Sequence, residues 1–271
     1  MKKLLILCSL FVFYSCVKND GTSTGNPLVS LSITGSQQVA TASFRYNKYW
    51  WVLKPAYAFA PPPTMLDLSN GTVSLTEFWL NFSNIEFKFD ELATAGEVDG
   101  NEVKFLGPYL VNIFSSSPQS LGNGLLSQSS IRRIKYRTRK VLDSVNGNPA
   151  DMINNSVYLA GNINSKSFVF KTTQELQFET SGPNLVTFKS GDVILLQPQT
   201  AEMIRKINLS SIIHGDIITE SNRKPFTNPC PTIDASAADL YTCFIKGIQV
   251  KTKLGKDNGD NVFSPGEPTV N

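Results

Sequence analysis

The sequence predicts an all-β fold, antiparallel and sandwich-like, and three observations predict it. Apolar and polar residues alternate over many short stretches, the pattern of half-buried strands. Clusters of Gly, Asn, Pro and Ser separate those stretches, as turns do. Charged residues make up only 17% of the 271-residue chain, a balance that suits a β-protein better than a charge-rich helical one. A chain of this length can bury a sizeable core as one large domain or two packed ones.

The clearest strand signal is residues 73–89. Its apolar residues fall on odd positions (Val73, Leu75), then even (Phe78, Leu80, Phe82), then odd again (Ile85, Phe87, Phe89). A shift of one residue turns every side chain to the other face, so each change of phase predicts a bulge or a break. Further strands are expected at 28–34, 44–54, 103–114, 131–142, 156–164, 167–172, 175–180, 185–189, 192–197 and 244–253. Turns are expected at Ser69-Asn70-Gly71, Asp99-Gly100-Asn101, Asn146-Gly147-Asn148-Pro149 and Ser181-Gly182-Pro183-Asn184. Helix signals are few: 200–213, and 234–241 with Asp234 as its cap. Pro61-Pro62-Pro63 reads as a stiff extended loop, and 146–151 as the best internal boundary or one hairpin loop.

The N-terminus carries an address. Lys2 and Lys3 precede eleven uncharged residues, Leu4 to Tyr14. A basic start and a short apolar run form a secretory signal, and at ~1.5 Å per residue the run is too short for a ~30 Å hydrocarbon core. The run ends Phe13-Tyr14-Ser15-Cys16, which resembles the lipobox of bacterial lipoproteins. The resemblance implies that residues 1–15 are removed and that Cys16 receives diacylglycerol and a further acyl chain. Residues 16–27 would then form a polar leash reaching at most ~40 Å, followed by a β-rich domain at 28–254 and a polar tail at 255–271. Val17 after the acylated cysteine resembles lipoproteins sorted to the outer membrane. Losing Lys2 and Lys3 lowers the net charge from +3 to +1, which gives a nucleic-acid partner no support.

Cys230 and Cys243 remain beyond Cys16, and an even pair in an oxidising compartment reads as a disulfide. A metal or redox site there would lack a nearby His and the usual spacing. The polar Gly21-Thr22-Ser23-Thr24-Gly25-Asn26-Pro27 stretch, the segment Gly107-Pro108-Tyr109-Leu110-Val111-Asn112-Ile113-Phe114 and the strand at 131–141 resemble exported bacterial β-sandwich lipoproteins. That resemblance implies fold and address but no chemistry.

Four further features are candidates for binding. On a strand, Arg133, Lys135, Arg137 and Arg139 share one face, a row of like charge that repels itself unless acidic neighbours or a ligand neutralise it. Such a row suits anionic head groups, a solvated face crossed by Asp and Glu, or protection of a sheet edge. The segment 256–267 resembles the twelve-residue calcium loop of EF-hand and dockerin-type proteins. That resemblance implies Asn258, Asp260, Val262, Ser264 and Glu267 as ligands, although Lys256 stands where the first Asp belongs and Asn261 where the turn glycine belongs. A flexible polar tail is the other reading. Calcium aside, nothing in the sequence asks for a cofactor. Phe44, Tyr46, Tyr49, Trp50 and Trp51 form an aromatic cluster suited to packing or to sugar rings. His214, the only histidine, has no catalytic partner in its neighbourhood and there is no Gly-x-Ser-x-Gly elbow. The expectation is therefore a lipid-anchored envelope protein with a non-enzymatic binding or structural role. A carbohydrate-binding or adhesive module, and a carboxylate-based hydrolase, are the alternatives.

Overall fold

The computed structural model describes residues 26–35, 64–68, 71–89, 102–115, 118–126, 130–142, 149–259, 263 and 267–270. In chain order the strands are β1 (Leu28–Ile33), β2 (Thr64–Leu68), β3 (Gly71–Phe89), β4 (Glu102–Asn112), β5 (Gln119–Leu125), β6 (Ser130–Thr138), β7 (Val157–Ile163), β8 (Lys166–Thr172), β9 (Gln177–Thr187), β10 (Val193–Pro198), β11 (Asp216–Ile218), β12 (Thr252–Asp257) and β13 (Thr269–Val270). Two helices, α1 (Thr200–Arg205) and α2 (Leu240–Val250), and one 3₁₀ turn at Ala150–Met152 complete the described elements.

Two sheets face each other. One has the order β13-β12-β10-β1-β5; the other runs β11-β8-β7-β3-β6-β9, with β2 and β4 also paired to β3. The all-β sandwich-like class holds, but the pairing is mixed. β1 runs parallel to β10 and β11 parallel to β8, while the other strand pairs are antiparallel. Val29, Leu31, Ile33, Ile194, Leu196 and Leu254 from the first sheet meet Phe78, Leu80, Phe82, Ile85, Phe87 and Ile134 from the second in one continuous core. That core includes residues on both sides of 146–151, and β6 before it and β7 after it both pair with β3.

β3 is a single strand of 19 residues, and it contains an irregularity at each change of apolar phase. Its register with β7 shifts between Leu75 and Glu77, and its registers with β4 and β6 both shift between Phe82 and Asn84. The extra residues, Thr76 and Ser83, let Val73, Leu75, Phe78, Leu80, Phe82, Ile85 and Phe87 all point inward and become fully buried. Close approach of backbones occurs beside the second bulge. A Cβ on Gly107 would lie 2.3 Å from the Phe82 carbonyl oxygen, so only glycine fits there.

Several expectations are corrected. Residues 244–253 are not a strand: the chain forms α2, then turns into β12. The helix cap is Asp239 rather than Asp234, its Oδ1 accepting from the Thr242 N–H at 2.6 Å. Leu240, Tyr241, Cys243, Phe244, Gly247 and Ile248 then form one buried helical face. The helix expected over 200–213 stops at Arg205. Strands expected at 175–180 and 185–189 merge into β9, where the partner of β6 jumps from Val186 to Ser181 across the Gly182-Pro183-Asn184 turn residues. The segment read as a polar tail belongs partly to the sheet, since β12 runs to Asp257 and β13 returns to Leu254 and Gly255 with Val270 fully buried. The strand expected at 44–54, the aromatic cluster and the Pro61-Pro62-Pro63 run lie outside the described residues.

If the bulge at Ser83 keeps both halves of β3 facing inward, deleting Ser83 must turn one half outward. Each large apolar side chain exposed costs ~2 kcal/mol, so the deletion variant should lose cooperative urea unfolding. Ser83→Ala, which keeps the register, should cost about 1 kcal/mol.

Candidate functional site

The basic strand is β6, and the structure places it between β3 and β9, so it protects no edge. Ile134, Tyr136 and Thr138 point into the core, as the alternation requires. On the outer face, neighbouring strands supply carboxylates in register. Glu179 of β9, Lys135 of β6, Glu86 of β3 and Lys104 of β4 form one row across four strands, alternating in sign. Arg133 Nε lies 2.5 Å from Glu179 Oε1, and Lys135 Nζ lies 3.7 Å from Glu179 Oε2. Arg137 is exposed and stands opposite Asn84 and Gln177, both neutral. Arg139 lies beyond the strand, its N–H donating to the Asn81 carbonyl at 2.9 Å. The row read as four like charges is thus divided: Arg133 and Lys135 are set among carboxylates, Arg137 stands opposite neutral Asn84 and Gln177, and Arg139 lies beyond the strand. Surface pairs of this kind contribute ~0–1 kcal/mol, so their effect is on the local potential more than on stability.

Cys230 and Cys243 form the expected disulfide, with Cα atoms 5.9 Å apart. It ties the loop before α2 to the buried face of the helix. There Phe244 stacks on Phe170 and Phe168 of β8, with ring centroids 4.8 and 6.1 Å away. Beside this aromatic stack lies a polar cluster the sequence did not reveal. Glu220 Oε1 accepts from the Thr172 hydroxyl, from the Thr173 N–H and hydroxyl, and from the Gln174 N–H at 3.1 Å. The Tyr241 hydroxyl lies 2.9 Å from the Thr172 hydroxyl and donates to Gln174 Oε1 at 3.1 Å. Arg223 caps the cluster, its guanidinium 4.6 Å from the centre of the Tyr241 ring and its Nε 2.9 Å from Asp239 Oδ2. Burial acts to raise the pKa of Glu220, but the hydrogen bonds from Thr172, Thr173 and Gln174 more than offset it, and the carboxyl titrates below the ordinary glutamate value. The hint in the sequence was Thr172-Thr173-Gln174, donors with no visible acceptor until the fold brings Glu220 to them.

Of the calcium-like segment, Asn258 is exposed and Glu267 half-buried, while Asp260, Val262 and Ser264 lie outside the described residues. Asp257 Oδ1 accepts from the Gly259 N–H at 3.1 Å, and Gly259 takes the positive φ of +103° that closes this turn. Among the described residues no three His, Cys, Asp or Glu side chains are grouped to hold a metal. His214 is exposed on a turn, with Nδ1 3.3 Å from the Ser167 hydroxyl. Cys16 lies outside the described residues.

The first sheet begins at Leu28. The Pro27 carbonyl accepts from the Leu126 N–H at 2.9 Å, and the Leu28 carbonyl accepts from the Gly191 N–H at 2.9 Å. Leu28 stands opposite Leu125 across the β1–β5 pair, and both side chains are exposed. Because β1 and β10 are parallel and β12 is antiparallel to them, β12 also ends at this end of the sheet, Asp257 facing Val193. The calcium-like segment therefore begins at the end of the sheet where β1 starts. Comparison of the chain with protein-family models, with curated proteins and with solved structures finds no match.

The Glu220 cluster gives a signed pH dependence. A carboxyl whose folded pKa is depressed stabilises the fold fully above its ordinary value of 4.5 and loses that contribution as pH falls through the folded value. In urea melts the wild type should exceed Glu220→Gln by a constant margin above pH 6. That margin should shrink steadily as pH falls below 4.5.

Proposed function

We propose that the chain is an exported lipoprotein, held to a membrane by lipid on Cys16, whose β-domain serves a non-enzymatic envelope-binding or structural role. The observation that carries this reading is the order Lys2-Lys3, eleven uncharged residues, then Ser15-Cys16 and a polar leash. The Cys230–Cys243 disulfide supports export, because such bonds persist in oxidising compartments. No helix among the described residues is long and apolar enough to cross a membrane. Two or more acyl chains give stable attachment where one gives marginal binding, at ~0.8 kcal/mol per buried CH₂.

Support for a non-enzymatic role comes from where the polar groups are used. The Glu220 carboxylate is engaged by donors of its own chain, and Glu179 and Glu86 sit among the cations of the β6 face. Outer-membrane placement follows from Val17 at the position after the lipidated cysteine. In cell fractionation the wild-type protein should sediment with membranes and enter the detergent phase. Cys16→Ser should lose the detergent-phase partition, and retention of the variant in that phase would contradict the reading.

A further inference from the structure

We infer that the end of the first sheet that receives the leash, marked by Leu28 and Leu125, rests against the phospholipid bilayer carrying the Cys16 lipid. The inference depends on the lipid-anchor reading and adds an orientation to it. Leu28 and Leu125 are 53% and 56% exposed, and they are direct cross-strand partners, so their side chains share one face and lie side by side. A lone exposed leucine is ordinary, whereas a registered pair at one named place in the fold calls for a reason. The place supplies it. The chain from Cys16 to Pro27 spans at most ~40 Å when fully extended, so the start of β1 at Leu28 is held within that distance of the lipid.

Alternation excludes the alternative that this pair belongs to the core. Val29, Leu31 and Ile33 point inward and are fully buried, which commits Leu28 to the outer face. The neighbouring turn adds a suitable charge, since exposed Lys189 begins the 189–192 turn whose Ser190 hydroxyl accepts from the Leu28 N–H at 3.2 Å. Apolar side chains beside a lysine match the boundary between acyl chains and anionic head groups. Contact at this end would hold the β6 face and the Glu220 cluster in a fixed orientation to the membrane instead of letting the domain turn freely on its leash.

The test uses the full lipidated protein reconstituted in vesicles of phosphatidylcholine and phosphatidylglycerol and exposed briefly to hydroxyl radicals. Leu142 and Ile213, 66% and 59% exposed, serve as internal references of similar accessibility. Leu28 and Leu125 should be oxidised several-fold more slowly than these two on vesicles. Equal rates at all four leucine and isoleucine positions, on protein that floats with the vesicles, would overturn the orientation while leaving the anchor standing. Protein that fails to float would overturn both, and flotation is read in the same sample.

Discussion

The fold depends on one strand staying in phase with its own core. β3 pairs with β2, β4, β6 and β7, so four strands take their register from it. Its apolar residues change phase twice, and a regular strand would carry Phe78, Leu80 and Phe82 to the face opposite Val73, Leu75, Ile85 and Phe87. Thr76 and Ser83 absorb the two changes: the register with β7 shifts at the first, and the registers with β4 and β6 shift at the second. The row that alternates Glu179, Lys135, Glu86 and Lys104 across the sheet exists only because the Ser83 bulge sets Glu86 opposite Lys135 and Lys104.

A second set of contacts fastens the C-terminal third to this frame. α2 is capped by Asp239, linked through Cys243 to Cys230, and stacked through Phe244 on Phe168 and Phe170. The Tyr136 hydroxyl reaches from β6 to the Ile248 carbonyl and the Thr252 hydroxyl, at 3.3 and 3.0 Å, joining the helix end and β12 to the second sheet. Glu220 closes the remaining side by holding the Thr172-Thr173-Gln174 corner. Tyr136 and Glu220 thus spend their polar groups on internal fastenings.

The sheets were legible in the sequence because period 2 is local: Val73 to Phe89 announces both its strand and its two bulges. The disulfide was legible because only two cysteines follow Cys16. What was not legible depends on partners far along the chain. Residues 244–253 place Phe244, Ile248 and Val250 on even positions, as a strand face would, yet the Asp239 cap and the packing of Phe244 on Phe168 and Phe170 select a helix. β5 hides because Gly122 and Gly124 erase its alternation, and Gly124 is required since a Cβ there would lie 2.5 Å from the Phe105 ring. The β6 cations were visible, but the carboxylates beside them lie on β3 and β9, dozens of residues away in either direction. Glu220 and its donors are separated in the same way.

The proposed address depends on Cys16 being the lipidated first residue of the mature chain. The direct measurement is the mass of the N-terminal peptide released from the membrane-bound protein by trypsin, which cuts after Lys18. The account predicts a peptide Cys16-Val17-Lys18 carrying a diacylglyceryl group, with nothing preceding Cys16. A mature N-terminus elsewhere, or an unmodified Cys16, would contradict it.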